Sequence, residues 1–409
     1  MKKIIAISMM FALVAGAVFA DTAISGAVET RFSLAKQQGG EDDKPVMGPG
    51  TGANGGIGAA QIRLTGSNTE GTLGGLFNFR NVDTVRSDSA NSWAGGEGGG
   101  AWYHRVFVWW KPTQQVKVFL GIDQDGLFDT ADFLGWGFHQ GDNDYLFNHW
   151  WDFWRQIFPG NWDGFGLAVS YYPIPGLDIN LALPTGRIAW PQATAAGVGR
   201  GNTPLTDPDS DHPNAGMLPG RLRLVGNYNL DFGKISLVYL GGGVVKEKGH
   251  TGGAGFGIAQ DNNGLFGASA LITAVDGIAI KVGGSVILTD PDMLINGGFG
   301  VAYTGDGFGV KARVGLQMQG DVDMFITGNV MPFFAAGEKG QVLVDIGFTS
   351  QGDSLGWSIL SAYRLSIEGG AFKIGLQVYN NTMGANGNAS ISGAEFVRWN
   401  IPMSLAFNF

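Results

Sequence analysis

One feature constrains the fold more than any other: apolar and polar residues alternate with period 2 along nearly the whole chain. Successive side chains of a strand point to opposite sides, so each such segment has one oily and one hydrophilic face. From Ala23 to Leu34, Ile24, Val28, Phe32 and Leu34 fall on one face and Ser25, Glu29, Arg31 and Ser33 on the other. Val116–Asp123 sets Val116, Val118, Leu120 and Ile122 against Lys117 and Asp123. Phe308–Gln319 sets Phe308, Val310, Val314 and Leu316 against Lys311, Arg313 and Gln317. In Leu355–Glu368, Trp357, Ile359 and Tyr363 oppose Ser358, Arg364 and Ser366. The chain contains about 18 such segments, most near the 9–11 residues of a tilted membrane strand. The alternative count is about 16, because Asp323–Pro332 and Gly297–Thr304 carry the weakest pattern.

The connections sort by length. Short turns follow every second strand, at Thr69–Gly71, Thr113–Gln115, Ile174–Gly176, Leu230–Gly233, Ala274–Gly277, Gly305–Gly307 and Gly369–Gly370, with a somewhat longer one at Phe333–Gly340. Between them lie mostly long polar loops, among them Asp83–Gly100, Asp125–Asp163 and Thr185–Gly220; the connections near Asp321 and Asp353 are short. A soluble sandwich has no reason to sort its loops this way, whereas a membrane barrel has turns at one end and loops at the other. The expected fold is therefore all-β: a transmembrane antiparallel up-and-down β-barrel. Hydrocarbon offers no partner for an unpaired N–H or C=O, so the sheet has to close.

Met1–Ala20 reads as a cleaved secretory signal peptide: Lys2 and Lys3, then an apolar run, then small residues at Val18 and Ala20. The run is too short to span a bilayer, and no later stretch offers about 20 apolar residues. Residues 21–409 are expected to form one barrel unit, since their texture is uniform. The 69 Gly show no collagen-like period. With no Cys, the chain has no disulfide framework, thiol nucleophile or Cys-based metal site. A formal charge of −9 argues against nucleic acid as a partner. Neither cofactor, metal nor enzymatic activity is expected. His104, His139, His149, His212 and His250 lack paired ligand spacing, and no Ser partner for His104 is evident. Asp207–His212 reads as a solvated loop rather than a calcium loop, lacking the Gly turn and distal Glu. The last segment, Glu395–Phe409, alternates Val397, Trp399, Ile401, Met403, Leu405, Phe407 and Phe409 with Arg398, Asn400, Ser404 and Asn408. Its terminal Phe409 resembles the signal that the barrel-assembly machinery recognises.

Several stretches resemble the general Gram-negative porins: Ala23–Phe32 (AISGAVETRF), Ile62–Arg80 (IRLTGSNTEGTLGGLFNFR), Arg105–Lys111 (RVFVWWK), Val116–Phe128 (VKVFLGIDQDGLF) and the final Phe409. They cover roughly the first third of the chain and its last strand; elsewhere the match is one of pattern. The resemblance implies a homotrimeric diffusion pore of 16 or 18 strands in the cell outer membrane. It also implies that the third loop, 125–163, folds inward as a constriction. This loop departs from the family's short acidic, Gly-rich motif. It carries Asp125, Asp129, Asp132, Asp142 and Asp144, but also Trp136, Trp150, Trp151 and Trp154.

Parity places Arg31, Arg63, Arg80, Arg105 and Lys117 on the interior wall as a basic ladder, with the loop acids opposite. Such an arrangement orients dipolar solutes and selects ions. Alternatively these cations only solvate the bore and pair with Glu29 and Asp123. The Trp cluster also has two readings. Trp150, Phe153, Trp154 and Ile157 follow helical spacing, which favours packing against the wall; exposed rings would instead stack on sugars. Tyr171, Tyr228, Tyr239, Tyr303, Trp357, Tyr363 and Trp399 are expected to form outward interfacial girdles. The expected function is passive diffusion of small hydrophilic solutes and ions across a lipid outer membrane. A surface-exposed structural or adhesive barrel and a sugar-selective channel are the alternatives.

Overall fold

The computed structural model describes residues 21–37, 44–49, 58–83, 102–123, 165–184, 223–241, 262–289, 293–381 and 393–409. They form nineteen strands. In chain order these are β1 (Asp21–Gln37), β2 (Val46–Pro49), β3 (Gly58–Ser67), β4 (Leu73–Asp83), β5 (Trp102–Thr113), β6 (Val116–Asp123), β7 (Phe165–Ile174), β8 (Leu177–Pro184), β9 (Arg223–Leu230) and β10 (Gly233–Gly241). There follow β11 (Asn262–Val275), β12 (Ile278–Thr289), β13 (Leu294–Thr304), β14 (Phe308–Gln319), β15 (Val322–Ala335), β16 (Gly340–Gln351), β17 (Ser354–Ile367), β18 (Gly370–Asn381) and β19 (Gly393–Asn408).

From β3 to β19 each strand pairs antiparallel with its sequence neighbours, and β1 closes the sheet by pairing with β3 on one edge and β19 on the other. The result is a closed 18-strand barrel plus one short strand. Both segments with the weakest sequence pattern are wall strands, β13 and β15. The extra strand β2 pairs only with β1, from Phe32↔Pro49 to Lys36↔Val46, above the point where the β3 pairing ends at Thr30↔Gly58. It prolongs the ladder along an edge that β3 is too short to cover. Four residues are too few for a periodic pattern, which is why the sequence did not announce it.

Eight short turns lie at one end of the barrel, together with the first residue of β1 and the last of β19. Each turn is tied to the next hairpin by a backbone hydrogen bond. Lys111 N–H donates to Thr72 O at 2.7 Å, Tyr172 to Gln115 at 2.8 Å, Asn229 to Gly176 at 2.7 Å and Thr273 to Phe232 at 2.7 Å. Thr304 then donates to Gly277 at 2.7 Å, Ala335 to Gly307 at 2.8 Å, Ser366 to Lys339 at 2.8 Å and Asn408 to Gly369 at 2.6 Å. Gly26 and Phe409 exchange two more bonds, at 2.8 and 3.0 Å. This belt uses turn carbonyls that the hairpins themselves leave over. It explains one glycine. Gly277 has φ 73°, and a Cβ there would lie 2.6 Å from Thr304 O, the residue whose N–H it receives. At the other end the connections Gly320–Asp321 and Gly352–Asp353 are short, as the sequence indicated.

The outer face is apolar and exposed along its whole circumference, for example at Val108, Leu120, Leu237, Val282, Phe299, Val314, Ile359 and Leu405. Aromatic rings gather towards its two margins. Trp110, Tyr171, Tyr228, Tyr303 and Tyr363 stand near the turns, and Tyr239, Trp357 and Trp399 stand nearer the loops. Tyr303, Phe308 and Phe334 run ring to ring, with centroids 6.2 and 5.1 Å apart. All the aromatics proposed as girdles on sequence grounds face outward.

Candidate functional site

The inner face of the wall is the candidate site. Every second residue of each strand points to it, and the register decides which of them become neighbours. Arg63 lies opposite Ser25 on one side and Asn78 on the other; Asn78 lies opposite Arg105, and Arg105 opposite Asp123. Arg80 pairs with Gln61 and Arg31 with Ser404. The positions Arg31, Arg63, Arg80, Arg105 and Lys117 therefore all have inward parity. They do not form one row. Arg63 and Arg105 share a row with Asn78 between them, and Arg31 belongs to another. A register shift between Asn78 and Phe79 inserts His104 as an extra residue, since Asn78 faces Arg105 while Phe79 faces Tyr103.

Lys117 sits on an aromatic shelf. Its Nζ lies 4.7 Å from the Trp109 ring centre and 4.6 Å from that of Phe119. Lys111 approaches the same Trp109 ring at 5.3 Å, and Phe107 meets Phe119 edge to face at 5.9 Å. The ammonium charges are held against the negative faces of the rings. Trp109 covers β4 at Gly74, where a Cβ would come within 2.3 Å of the indole.

Further round the wall, bridging amides tie strands together. Across β10, β9 and β8, Ser236 Oγ donates to Asn227 Oδ1 at 2.7 Å. Asn227 and Asn180 both donate to Asp178 Oδ1, each at 2.7 Å. Across β14, β15 and β16, Arg313 Nε donates to Asn329 Oδ1, and Asn329 Nδ2 donates to Asp345 Oδ1 at 2.8 Å. Across β17 and β18, Gln377 Nε2 donates to Ser358 Oγ at 3.0 Å; across β1 and β19, Ser33 Oγ donates to Asn400 Oδ1 at 2.9 Å. Lys281, Arg313, Lys373 and Asp345 are all buried.

The interior is not uniformly hydrophilic, as simple alternation would have it. Met331, Leu343, Leu360 and Ala362 form a buried apolar cluster on the inner side of β15–β17, with Phe333 against it. Lys311 adds its Nζ 5.4 Å from the Phe333 ring. Leu360 and Ala362 share the inner face with Ser358 and Arg364, so the polar stripe of β17 is interrupted in its middle.

Inner-wall residues absent from the sequence-derived set include Lys234, Lys281, Lys311, Arg313, Arg364, Lys373 and Arg398, with the acceptors Asp178 and Asp345. The same parity marks all of them, and Lys311, Arg313 and Arg364 were already visible on the polar faces of their segments. The loop residues Asp125, Asp129, Asp132, Asp142, Asp144, Trp136, Trp150, Trp151 and Trp154, the segment Asp207–His212 and the leader 1–20 lie outside the described residues. Among the described residues no group of three or more His, Asp or Glu is placed to hold a metal ion, and no helix is long and apolar enough to cross a membrane.

Solved structures share this architecture. The chain is similar to the anion-selective porin from Comamonas acidovorans at 13% identity and a TM-score of 0.50, covering 95% of this chain and 99% of that one. It is similar to OmpF of Salmonella typhi, solved in complex with daunomycin, at 10% identity and a TM-score of 0.50, covering 95% and 97%. At these identities the likeness is one of fold. No family model and no curated protein matches the sequence.

Proposed function

We propose that this chain is an outer-membrane porin, a water-filled channel for passive diffusion of small hydrophilic solutes and ions. One observation carries the reading: a closed barrel whose exposed outer face is apolar and whose inner face holds its charges. Such a surface is stable only against hydrocarbon, and 16–18 strands enclose a bore wide enough for water. The fold shared with the porin of Comamonas acidovorans supports it. In this reading the turn end faces the periplasm and the loops face outward, Met1–Ala20 is the export signal, and Phe409 serves the assembly machinery. The third loop, 125–163, narrows the bore by bringing Asp125, Asp129, Asp132, Asp142 and Asp144 opposite the cations of Arg31, Arg63, Arg80, Arg105 and Lys117. Trp136, Trp150, Trp151 and Trp154 anchor that loop, and the barrel assembles as a homotrimer. Purified protein added to a planar lipid bilayer should give stable ohmic steps. A folded barrel that inserts without conducting would leave the structural or adhesive reading in its place.

A further inference from the structure

We infer that the bore passes anions in preference to cations, a deepening of the porin reading on which it rests. Charge is partitioned between wall and connections. The 19 strands carry 15 of the chain's 26 Lys and Arg but only 8 of its 35 Asp and Glu. Outside the strands the balance reverses, at 11 against 27. Of the strand acids, Asp21, Asp83 and Asp123 stand at the very ends of their strands. An acidic protein has thus concentrated positive charge on the wall of the bore.

The register arranges six of these cations along two climbing tracks, because strands tilt and a row of paired residues rises along the wall. One row runs Lys234, Leu271, Lys281, Gly300, Arg313 from β10 to β14. Cations occupy every second strand, about 10 Å apart at the usual strand spacing. That spacing matches the Debye length of about 10 Å at 0.1 M salt, so neighbouring fields overlap there; at 1 M, where the length is about 3 Å, they separate. The second row runs Arg364, Lys373, Ser404, Arg31 from β17 to β1. Arg364 and Lys373 are direct cross-strand partners, an arrangement that like charges disfavour. Ser404 Oγ, on a residue 1% exposed, and the nearby Asn400 Nδ2 have no hydrogen-bond partner among the described residues. Rows of fixed charge of one sign in a narrow low-dielectric wall raise the local concentration of the opposite ion.

The test is the reversal potential of the purified protein in planar bilayers under a tenfold KCl gradient, for the natural sequence, Lys373→Gln, Lys281→Gln and the turn variant Lys339→Gln. The natural protein should show PCl/PK above 1. Each wall variant should lower it about two- to threefold at 0.1 M salt, the effect on both ions of one unit charge some 7 Å from the ion path in water, screened over a Debye length of about 10 Å. The effect should shrink at 1 M, and Lys339→Gln should leave the ratio unchanged. Two wall variants are used so that the failure of one to fold leaves the other to read the ratio. Ohmic steps with PCl/PK at or below 1 would overturn the inference and leave the pore intact; so would wall variants that leave the ratio unmoved. Absence of any steps strikes the porin reading itself, and this inference falls with it.

Discussion

Replacing Leu237 by Arg tests the orientation on which every functional statement above depends. Leu237 is the middle residue of β10, is 61% exposed and faces outward, while its neighbours Ser236 and Val238 are buried on the inner side. A strand rises about 3.4 Å per residue and tilts by roughly 40°, so each residue climbs about 2.6 Å along the barrel axis. Leu237 stands four residues above Gly233, hence about 10 Å above the rim of an apolar band roughly 25 Å tall. Near that depth an outward Arg costs about 2–4 kcal/mol. Ile235 is also outward but only about 5 Å from the rim, where the cost falls to roughly 0–1 kcal/mol. Reversible urea unfolding in lipid vesicles should therefore rank the natural protein and Ile235→Arg close together and Leu237→Arg well below both. A soluble barrel would give the opposite ranking, since an exposed Arg replacing an exposed Leu in water is neutral or helpful. Equal stability of all three proteins in vesicles would refute the reasoning, because it would mean that no hydrocarbon touches that face.

Three further expectations follow from the geometry. Gly277→Ala should lower the unfolding midpoint more than Gly337→Ala does. Both residues have φ near +75°, costing a Cβ-bearing residue about 1–2 kcal/mol, but only at Gly277 would the Cβ strike a carbonyl, while nothing lies within 4 Å at Gly337. Asn329→Leu removes the amide between Arg313 and Asp345 and should cost about 1–3 kcal/mol in the same unfolding assay, with Arg313→Leu non-additive on top of it. Phe409→Ser keeps the two backbone bonds to Gly26 and loses only an exposed ring stacked on the equally exposed Phe407, so refolding in vitro should be nearly unchanged while the amount of assembled protein in cells falls; normal assembly in cells would remove Phe409 from the assembly role.

The sequence disclosed the architecture because lipid imposes it locally. A lipid-facing strand has to be oily on every second residue, so the wall strands, the sorted connections and the inward parity of Arg63 or Lys117 are written within single segments. Neighbourhood is not written there. Lys373 lies beside both Arg364 and Ser404 only through the stagger of β17, β18 and β19, and no segment encodes that stagger alone. The extra residue His104 moves the β4–β5 pairing by one, an insertion that two aromatic faces hide. Alternation also marks a face without guaranteeing its chemistry. Leu360 and Ala362 stand on the inner side of β17 because an 18-strand barrel buries some inward side chains, so an apolar one is tolerated there.

What the fold requires of the inner face is weaker than what this chain supplies. Neutral hydrogen-bonding residues suffice to line a bore, and Ser170, Asn180, Ser236 and Ser269 do so over much of β7–β11. On β12–β18 the same face holds Lys281, Arg313, Arg364 and Lys373; Arg364 and Lys373 are direct cross-strand partners, and the long side chains of Lys281, Arg313 and Lys373 lose entropy on burial. A wall selected for stability alone would continue the Ser and Asn pattern. Lipid outside is indifferent to which sign the interior carries, so that sign is free to record what passes through. In the porin reading, the positive excess in the wall of an acidic protein bears on the sign of the permeant solute, while Arg313 also serves the strand-to-strand network through Asn329 to Asp345.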